Sequence, residues 1–310
     1  MSRFRGKGVK KKKIAVRAEH IIPNFLIKNT INIIYAPPKQ GKSMFLCGLV
    51  KWIYRNTKLY TEYYDNDNPL IALEDRGVDR LWEELSDRFD YIHPEELENV
   101  TRDESIVLID AKDALDILVK DADTVSRNYD DTVFMFDSAT DFCDESNDNS
   151  VKTFMSKMKC LRAAGATVII LHHTNKKDPN YKGSTVFKSA TDTIYKLTLE
   201  YENGEGKVYK LEKDESRFRV ENCGFRMKEG YDLEILDYEE ICIPATEQLE
   251  IRKVVTILRQ NQDPMKQGDL LHEALKTTSA DKTATSFLKK YEGKYWTCDK
   301  GGRSHLYKVI

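Results

Sequence analysis

The segment Ala36-Pro37-Pro38-Lys39-Gln40-Gly41-Lys42-Ser43 constrains this chain more than any other stretch. It follows Ile31 to Tyr35, an apolar run that reads as a buried strand. It precedes Met44 to Tyr54, whose apolar residues recur at helical spacing. Strand, glycine-bearing loop and helix, in that order, make a phosphate-binding P-loop. Backbone N–H groups of the loop and helix start converge on the β- and γ-phosphates. The Lys42 ammonium adds a point charge, and the Ser43 hydroxyl is placed to hold Mg²⁺. Ala36 stands where the pattern has its first glycine, but that position only begins the turn. Gly41, which lets the backbone approach the phosphate, is kept. Residues 36–44, ending at Met44, are the expected nucleotide-binding segment.

Other residues fit around that loop. Thr132 to Asp137 is a run of apolar and β-forming residues that ends in an acid, so Asp137 is placed to hold Mg²⁺ through water while Ser43 holds it directly. The segment Tyr63-Tyr64-Asp65-Asn66-Asp67-Asn68 offers a carboxylate to orient or deprotonate the attacking water, with Asp67 the first choice and Asp65 the second. His172 and His173 sit at the end of a further strand. Adjacent strand residues face opposite sides, so a shared metal is not expected, and one of the two reads as a polar sensor near the γ-phosphate. The loop beyond, with Lys176, Lys177 and Lys182, suits a mobile contact with DNA. The loop after Asp137 carries Asp141, Asp144, Glu145 and Asp148, which repel phosphate.

The expected fold class is α/β: strand and helix alternate from about residue 14 to 240, the sign of a mostly parallel sheet covered on both faces. Helices are expected over 68–89, 114–128 and 151–164, with strands at 58–65, 105–110, 132–137 and 167–171. Beyond residue 192 the strands become antiparallel, with a hairpin around Asn203-Gly204. Residues 248–310 read as a separate unit. Its first helix carries Ile251, Val254, Val255 and Leu258 on one face, and a second spans 266–275. A third follows Ser279 as N-cap and buries Ala284, Phe287, Leu288 and Tyr291. A terminal hairpin completes what describes a winged helix, leaving Lys282, Lys289, Lys290, Lys300 and Arg303 for phosphate.

The net charge is −2, but it is unevenly spread. Residues 1–13 hold seven Lys or Arg and no acid, and residues 250–310 carry a net +5. A basic tail (1–19), an acidic core (20–240) and a basic C-terminal unit (248–310) delegate polyanion contact to the ends. The six cysteines form no CxxC pair, which argues against a disulfide framework or a zinc module. No apolar run reaches membrane-spanning length, so a soluble cytoplasmic protein without a membrane partner is expected.

The P-loop APPKQGKS, the segment YYDNDNP followed by Glu74-Asp75-Arg76-Gly77, the strand VFMFDS, the segment IILHHTNK and the later GSTVFKSATDTIYKL together resemble the RecA-fold ATPases of the RepA-like hexameric helicase group. That group belongs to plasmid, phage and mobile-element replication modules. The resemblance covers residues 20–240, and its most specific piece is HHTNK some 35 residues after Asp137. It implies a RecA-like core, ATP and Mg²⁺ as cofactors, assembly as a homo-oligomeric ring, and DNA and other replication proteins as partners. It also implies His173 as the γ-phosphate sensor and Asp67 at the position of the catalytic acid, where the family has Glu. Leu211 to Arg217 resembles the place where these ATPases offer a basic finger to the neighbouring subunit's nucleotide, with Lys213 and Arg217 as the candidates. The winged helix is not part of the family's minimal form. The expected function is DNA-dependent ATP hydrolysis by a helicase-like motor. Two alternatives stay open: an ATP-switched initiator or helicase loader that does not unwind, and a slow regulatory ATPase oligomer with protein partners.

Overall fold

A computed structural model describes residues 18–65, 77–85, 87–93, 111–174, 185–261, 263–301 and 304–310, and the chain divides into two compact units, Met1–Tyr238 and Glu239–Ile310. The first opens with a small antiparallel pair, β1 (His20–Ile22) and β2 (Leu26–Ile27). Next come β3 (Ile31–Ala36), α1 (Lys42–Asn56), β4 (Tyr60–Asp65), α2 (Val78–Leu85) and β5 (Phe89–Ile92). They are followed by α3 (Ala111–Asp121), β6 (Thr132–Asp137), α4 (Ala139–Phe142), α5 (Asp148–Ala163), β7 (Thr167–His173) and α6 (Thr185–Ala190). The chain then turns to β8 (Thr193–Asn203), β9 (Gly206–Ser216), β10 (Cys223–Met227) and β11 (Leu233–Leu236).

Among the described residues these strands form one sheet in the order β11-β10-β9-β8-β3-β7-β6-β4-β5. Pairing is parallel from β8 through β5 and antiparallel from β8 through β11, which bears out the expected mostly parallel α/β core with an antiparallel extension. The core is built around β3, whose six residues are all buried. Side chains alternate across it: Ile31, Ile33 and Tyr35 join the cluster that receives α5, whereas Ile34 and Ala36 join the cluster that receives α1. On α1 the residues Phe45, Leu46, Leu49, Val50 and Ile53 are fully buried, each contributing roughly 1.5–3 kcal/mol by leaving water.

Three expected boundaries are corrected. The helix expected over 68–89 is described only as α2, and Phe89 belongs to β5. Phe89 and Tyr91 bury on one face of that strand, and the Arg88 guanidinium donates to the carbonyls of Thr57 and Tyr54 at 2.7 and 2.9 Å. The helix expected to reach Asn128 stops at Asp121. The Asn128 side chain accepts from Asp123 N and donates to Asp121 O, a local alternative to helical bonding. β7 extends two residues past Leu171 to His173. The strand expected at 105–110 lies outside the described residues.

The second unit contains most of α7 (Tyr238–Ile241), then α8 (Ala245–Gln260), β12 (Met265–Lys266), α9 (Gln267–Leu275), α10 (Lys282–Lys290), β13 (Trp296–Asp299) and β14 (Leu306–Val309). Its antiparallel sheet runs β12-β14-β13, and Val254, Leu270, Leu271, Leu288 and Trp296 form the centre of its own core. Trp296 Nε1 donates to Leu288 O at 2.9 Å, so the indole is buried without an orphaned donor. The cap of α10 is Asp281, not Ser279: its Oδ1 accepts from Thr283 N and Ala284 N at 2.9 and 3.1 Å. Residues 265–266, one of them assigned to the second helix by spacing, pair with β14. No described helix is long and apolar enough to cross a membrane.

Candidate functional site at the carboxyl edge of the sheet

The P-loop leaves β3 at Ala36 and enters α1 at Lys42, between strand and helix as expected, though the helix begins two residues before Met44. Lys39 and Gly41 have φ of 67° and 75°, in the left-handed region, and so turn the backbone sharply between the two elements. No side chain caps α1 and its first turn holds no acid, so its amino end keeps the positive potential that suits an anion. Lys42 is buried, and its Nζ donates to the carbonyls of Ala36 and Pro37 at 3.0 and 3.3 Å. Gln40 Oε1 accepts from Leu199 N of β8 at 3.0 Å, which pins the loop to the antiparallel extension.

Strand alternation gathers the other candidates on the face that α1 covers. Val133 and Met135 of β6, Ile169 and Leu171 of β7, and Tyr63 of β4 share the cluster of α1. Two-residue periodicity therefore places Asp137, His173 and Asp65 on that same face, at the ends of their strands. Register agrees, since Asp65 stands opposite Asp137 and Ala36 opposite His173. Asp137 and Asp65 are buried, and each carboxylate accepts from a tyrosine: Tyr63 Oη to Asp137 Oδ2 at 2.8 Å, Tyr91 Oη to Asp65 Oδ2 at 2.7 Å. Burial, reinforced by these carboxylates, holds both phenols well above their ordinary pKa, so they remain donors. The sequence reading singled out neither tyrosine as a partner of these carboxylates. Tyr63 shares the period-2 signal of the Tyr63-Tyr64-Asp65 segment.

His172 occupies the other face, with its ring edge-on to Phe187 at 5.4 Å. Glu145 Oε1 lies 3.3 Å from His172 Nε2. Burial, then His173 and Lys42, pushes the imidazole down to about 4, while burial and Asp141 push the Glu145 carboxyl up to about 7. Both shifts favour uncharged forms, so the contact is not a salt bridge of the usual kind. Asp141 is used locally: its Oδ2 accepts from Ser138 N in the capping box of α4.

Several expected residues are not brought to this edge. Arg217 lies at the opposite, amino edge, where Nη1 approaches Asp192 Oδ1 at 3.4 Å and Nη2 donates to Ser189 O at 2.5 Å. Lys213 Nζ donates to Val220 O at 3.2 Å. In the second unit Lys282 and Lys289 are exposed, but Lys290 pairs with Glu247 at 2.7 Å and Lys300 with Glu292 at 2.9 Å. Asp67, Lys176, Lys177, Lys182 and Arg303 lie outside the described residues.

Mg²⁺ with a nucleoside triphosphate fits the donor set: an uncapped helix start and an ammonium for phosphate, and a hydroxyl and a carboxylate for a hard cation. No curated protein matches the chain. A crystal structure of the flagellar accessory protein FlaH from Methanocaldococcus jannaschii is similar at 16% identity over 68% of this chain and 90% of that one, with a TM-score of 0.42, a likeness that carries no argument about function. The AAA domain family matches residues 11–179, more than half of the chain, and that span includes the P-loop, Asp65, Asp137 and His173. The chain therefore belongs to the AAA domain family, and its P-loop is that of a nucleotide-binding ATPase domain.

Proposed function

We propose that this protein is a DNA-dependent ATPase, an oligomeric RecA-fold motor of the kind that drives replication of a mobile element. The observation that carries the reading is that Asp137, Asp65 and His173 end neighbouring strands on the face that α1 covers, and that Lys42 and Ser43 open α1. Phosphates lie against the start of α1, with Lys42 exchanging the Ala36 and Pro37 carbonyls for phosphate oxygens. Ser43 and Asp137 would hold Mg²⁺, which would supply positive charge beside the transferred phosphoryl group. Asp67, or Asp65 two residues before it, orients the attacking water, and His173 senses the γ-phosphate. Tyr63 and Tyr91 fix the two strand-end carboxylates before substrate arrives. A neighbouring subunit supplies Lys213 or Arg217 in trans.

DNA is gripped by Lys176, Lys177 and Lys182 and by the C-terminal unit acting as a winged helix through Lys282, Lys289, Lys290, Lys300 and Arg303. A second reading, an ATP-switched initiator or loader that docks other replication proteins, is favoured by one observation. Lys290 and Lys300 are already neutralised by Glu247 and Glu292, which weakens the case for phosphate contact there. ATP turnover measured without DNA, with single strands and with duplex, each at two salt concentrations, separates the readings. A motor is stimulated by DNA and separates strands. A loader is stimulated without strand separation. Lys282→Ala with Lys289→Ala lowers the salt slope of duplex binding by about one per lost phosphate contact if the winged helix reads DNA, and leaves it unchanged if that unit docks protein.

A further inference from the structure

Tyr209 of β9 is fully buried, with its ring against Phe45 of α1 at 5.4 Å between centroids. Its hydroxyl reaches the P-loop: a Cβ built on Gly41 would sit 2.7 Å from Tyr209 Oη. Among the described residues that hydroxyl has no hydrogen-bond partner. A phenylalanine would fill the same space without a polar atom to satisfy. A buried, unpartnered hydroxyl costs the fold stability, and such groups are rare enough in native proteins to need a reason. Burial pushes the phenol up to about 12, so it keeps its proton and remains a donor near neutral pH.

Lys42 is folded onto the carbonyls of Ala36 and Pro37, and Gly41 O is taken by Phe45 N at 2.8 Å. The Gln40 side chain is held by β8, the strand paired with β9, so the outer side of the loop already leans on this extension. In the planar peptide between Gln40 and Gly41, the N–H and the C=O point in opposite directions. Turning the Gly41 N–H toward a phosphate therefore turns the Gln40 carbonyl away from it, toward the side where Tyr209 stands.

We propose that Tyr209 is a positioning residue of the nucleotide site, whose hydroxyl donates to the Gln40 carbonyl once a bound nucleotide has drawn the Gly41 N–H onto its phosphates. Tyr209 acts through this peptide and not on the phosphate itself. The inference rests on the nucleotide-binding reading of the P-loop and adds a residue from the antiparallel extension to it.

The test is Tyr209→Phe in the full chain, followed by thermal melting without nucleotide and calorimetric titration with Mg-ADP. The two readouts move in opposite directions: the nucleotide-free variant melts about 2 °C or more above the unaltered protein, because an orphaned hydroxyl is gone. Its affinity for Mg-ADP falls about fivefold, because the bond gained on binding is lost. Unchanged affinity overturns the proposal, whatever the melting temperature does. A lower melting temperature without nucleotide also overturns it, since the hydroxyl would then be satisfied in the free protein. If the unaltered protein takes up no Mg-ADP, the nucleotide reading and the role of Tyr209 fall together. If it binds and the variant binds equally well, only the role of Tyr209 falls.

Discussion

The two ends of strand β3 handle buried polar groups in opposite ways. At the amino end Asp192 is saturated: Oδ2 accepts from Ile31 N at 2.9 Å and pairs with Arg162 at 2.7 Å, and Oδ1 faces Arg217. Asn32 and Thr30 are also satisfied, Nδ2 donating to Thr30 Oγ1 at 2.9 Å and Oγ1 donating to Ile27 O at 2.6 Å. At the carboxyl end the backbone turns through two left-handed residues, and the hydroxyls of Tyr209 and Thr174 are buried without partners among the described residues. Glu145 and His172 nearby are driven toward neutrality. One end is built for stability. The other leaves buried polar groups unsatisfied, a departure that is expected at functional sites.

Lys42→Ala strikes the functional end and has the largest expected effect. ATP hydrolysis falls by about two to three orders of magnitude, and nucleotide affinity falls with it, while the urea midpoint barely moves. Near-normal turnover at saturating ATP would remove the distinction between the two ends. Asp192→Asn strikes the stable end and does the reverse. It costs about 2–3 kcal/mol in urea unfolding, since Arg162 and Arg217 lose their shared carboxylate, with the loss moderated because both guanidiniums are partly exposed. Mg-ADP affinity of the variant that remains folded is unchanged. A drop in affinity without loss of stability would show that the amino edge takes part in binding.

Arg217→Ala sharpens the comparison because Arg217, which contacts Asp192 of its own subunit, is also the proposed finger for a neighbour's nucleotide. A stability loss of about 1 kcal/mol is expected, together with at least a tenfold loss of hydrolysis that is partly restored by mixing with Lys42→Ala subunits. No recovery on mixing, with assembly intact, confines Arg217 to its structural contact. Glu145→Gln gives the smallest effect, and its sign depends on pH. The folded-state pKa of Glu145 is raised above its unfolded value. Its contribution is therefore fully present below about 4.5 and is lost as pH rises through about 7. The variant escapes that loss, so its advantage over the unaltered protein grows from pH 5 to 7, reaches about 1 kcal/mol and then levels off. An advantage independent of pH would mean that the carboxyl is not strained by burial.

The carboxyl end was legible in the sequence because its signals are local. The run Ile31 to Tyr35, the glycine at 41 and Lys42-Ser43 are contiguous, and Asp137 simply closes an apolar strand. The amino end was not legible. Asp192 meets Ile31 across 161 residues and Arg162 across 30, and only the strand order brings them together. Tyr209 was invisible for the same reason, since the sequence makes it one more aromatic in a β-hairpin. β5 was missed because four residues, Phe89 to Ile92, are too few to show a period after a helical stretch. The loss of Lys290 and Lys300 to Glu247 and Glu292 likewise depends on tertiary contact, across 43 residues in the first case.

The central claim is that within one subunit nucleotide engages the carboxyl edge of the sheet, and amide hydrogen exchange with and without Mg-ADP tests it most directly. Exchange is expected to slow over residues 37–44 and at the ends of β6 and β7, with residues 28–32 and 189–193 unchanged. Saturating Mg-ADP that leaves residues 37–44 exchanging as before, or that protects residues 28–32 and 189–193 instead, would contradict the account.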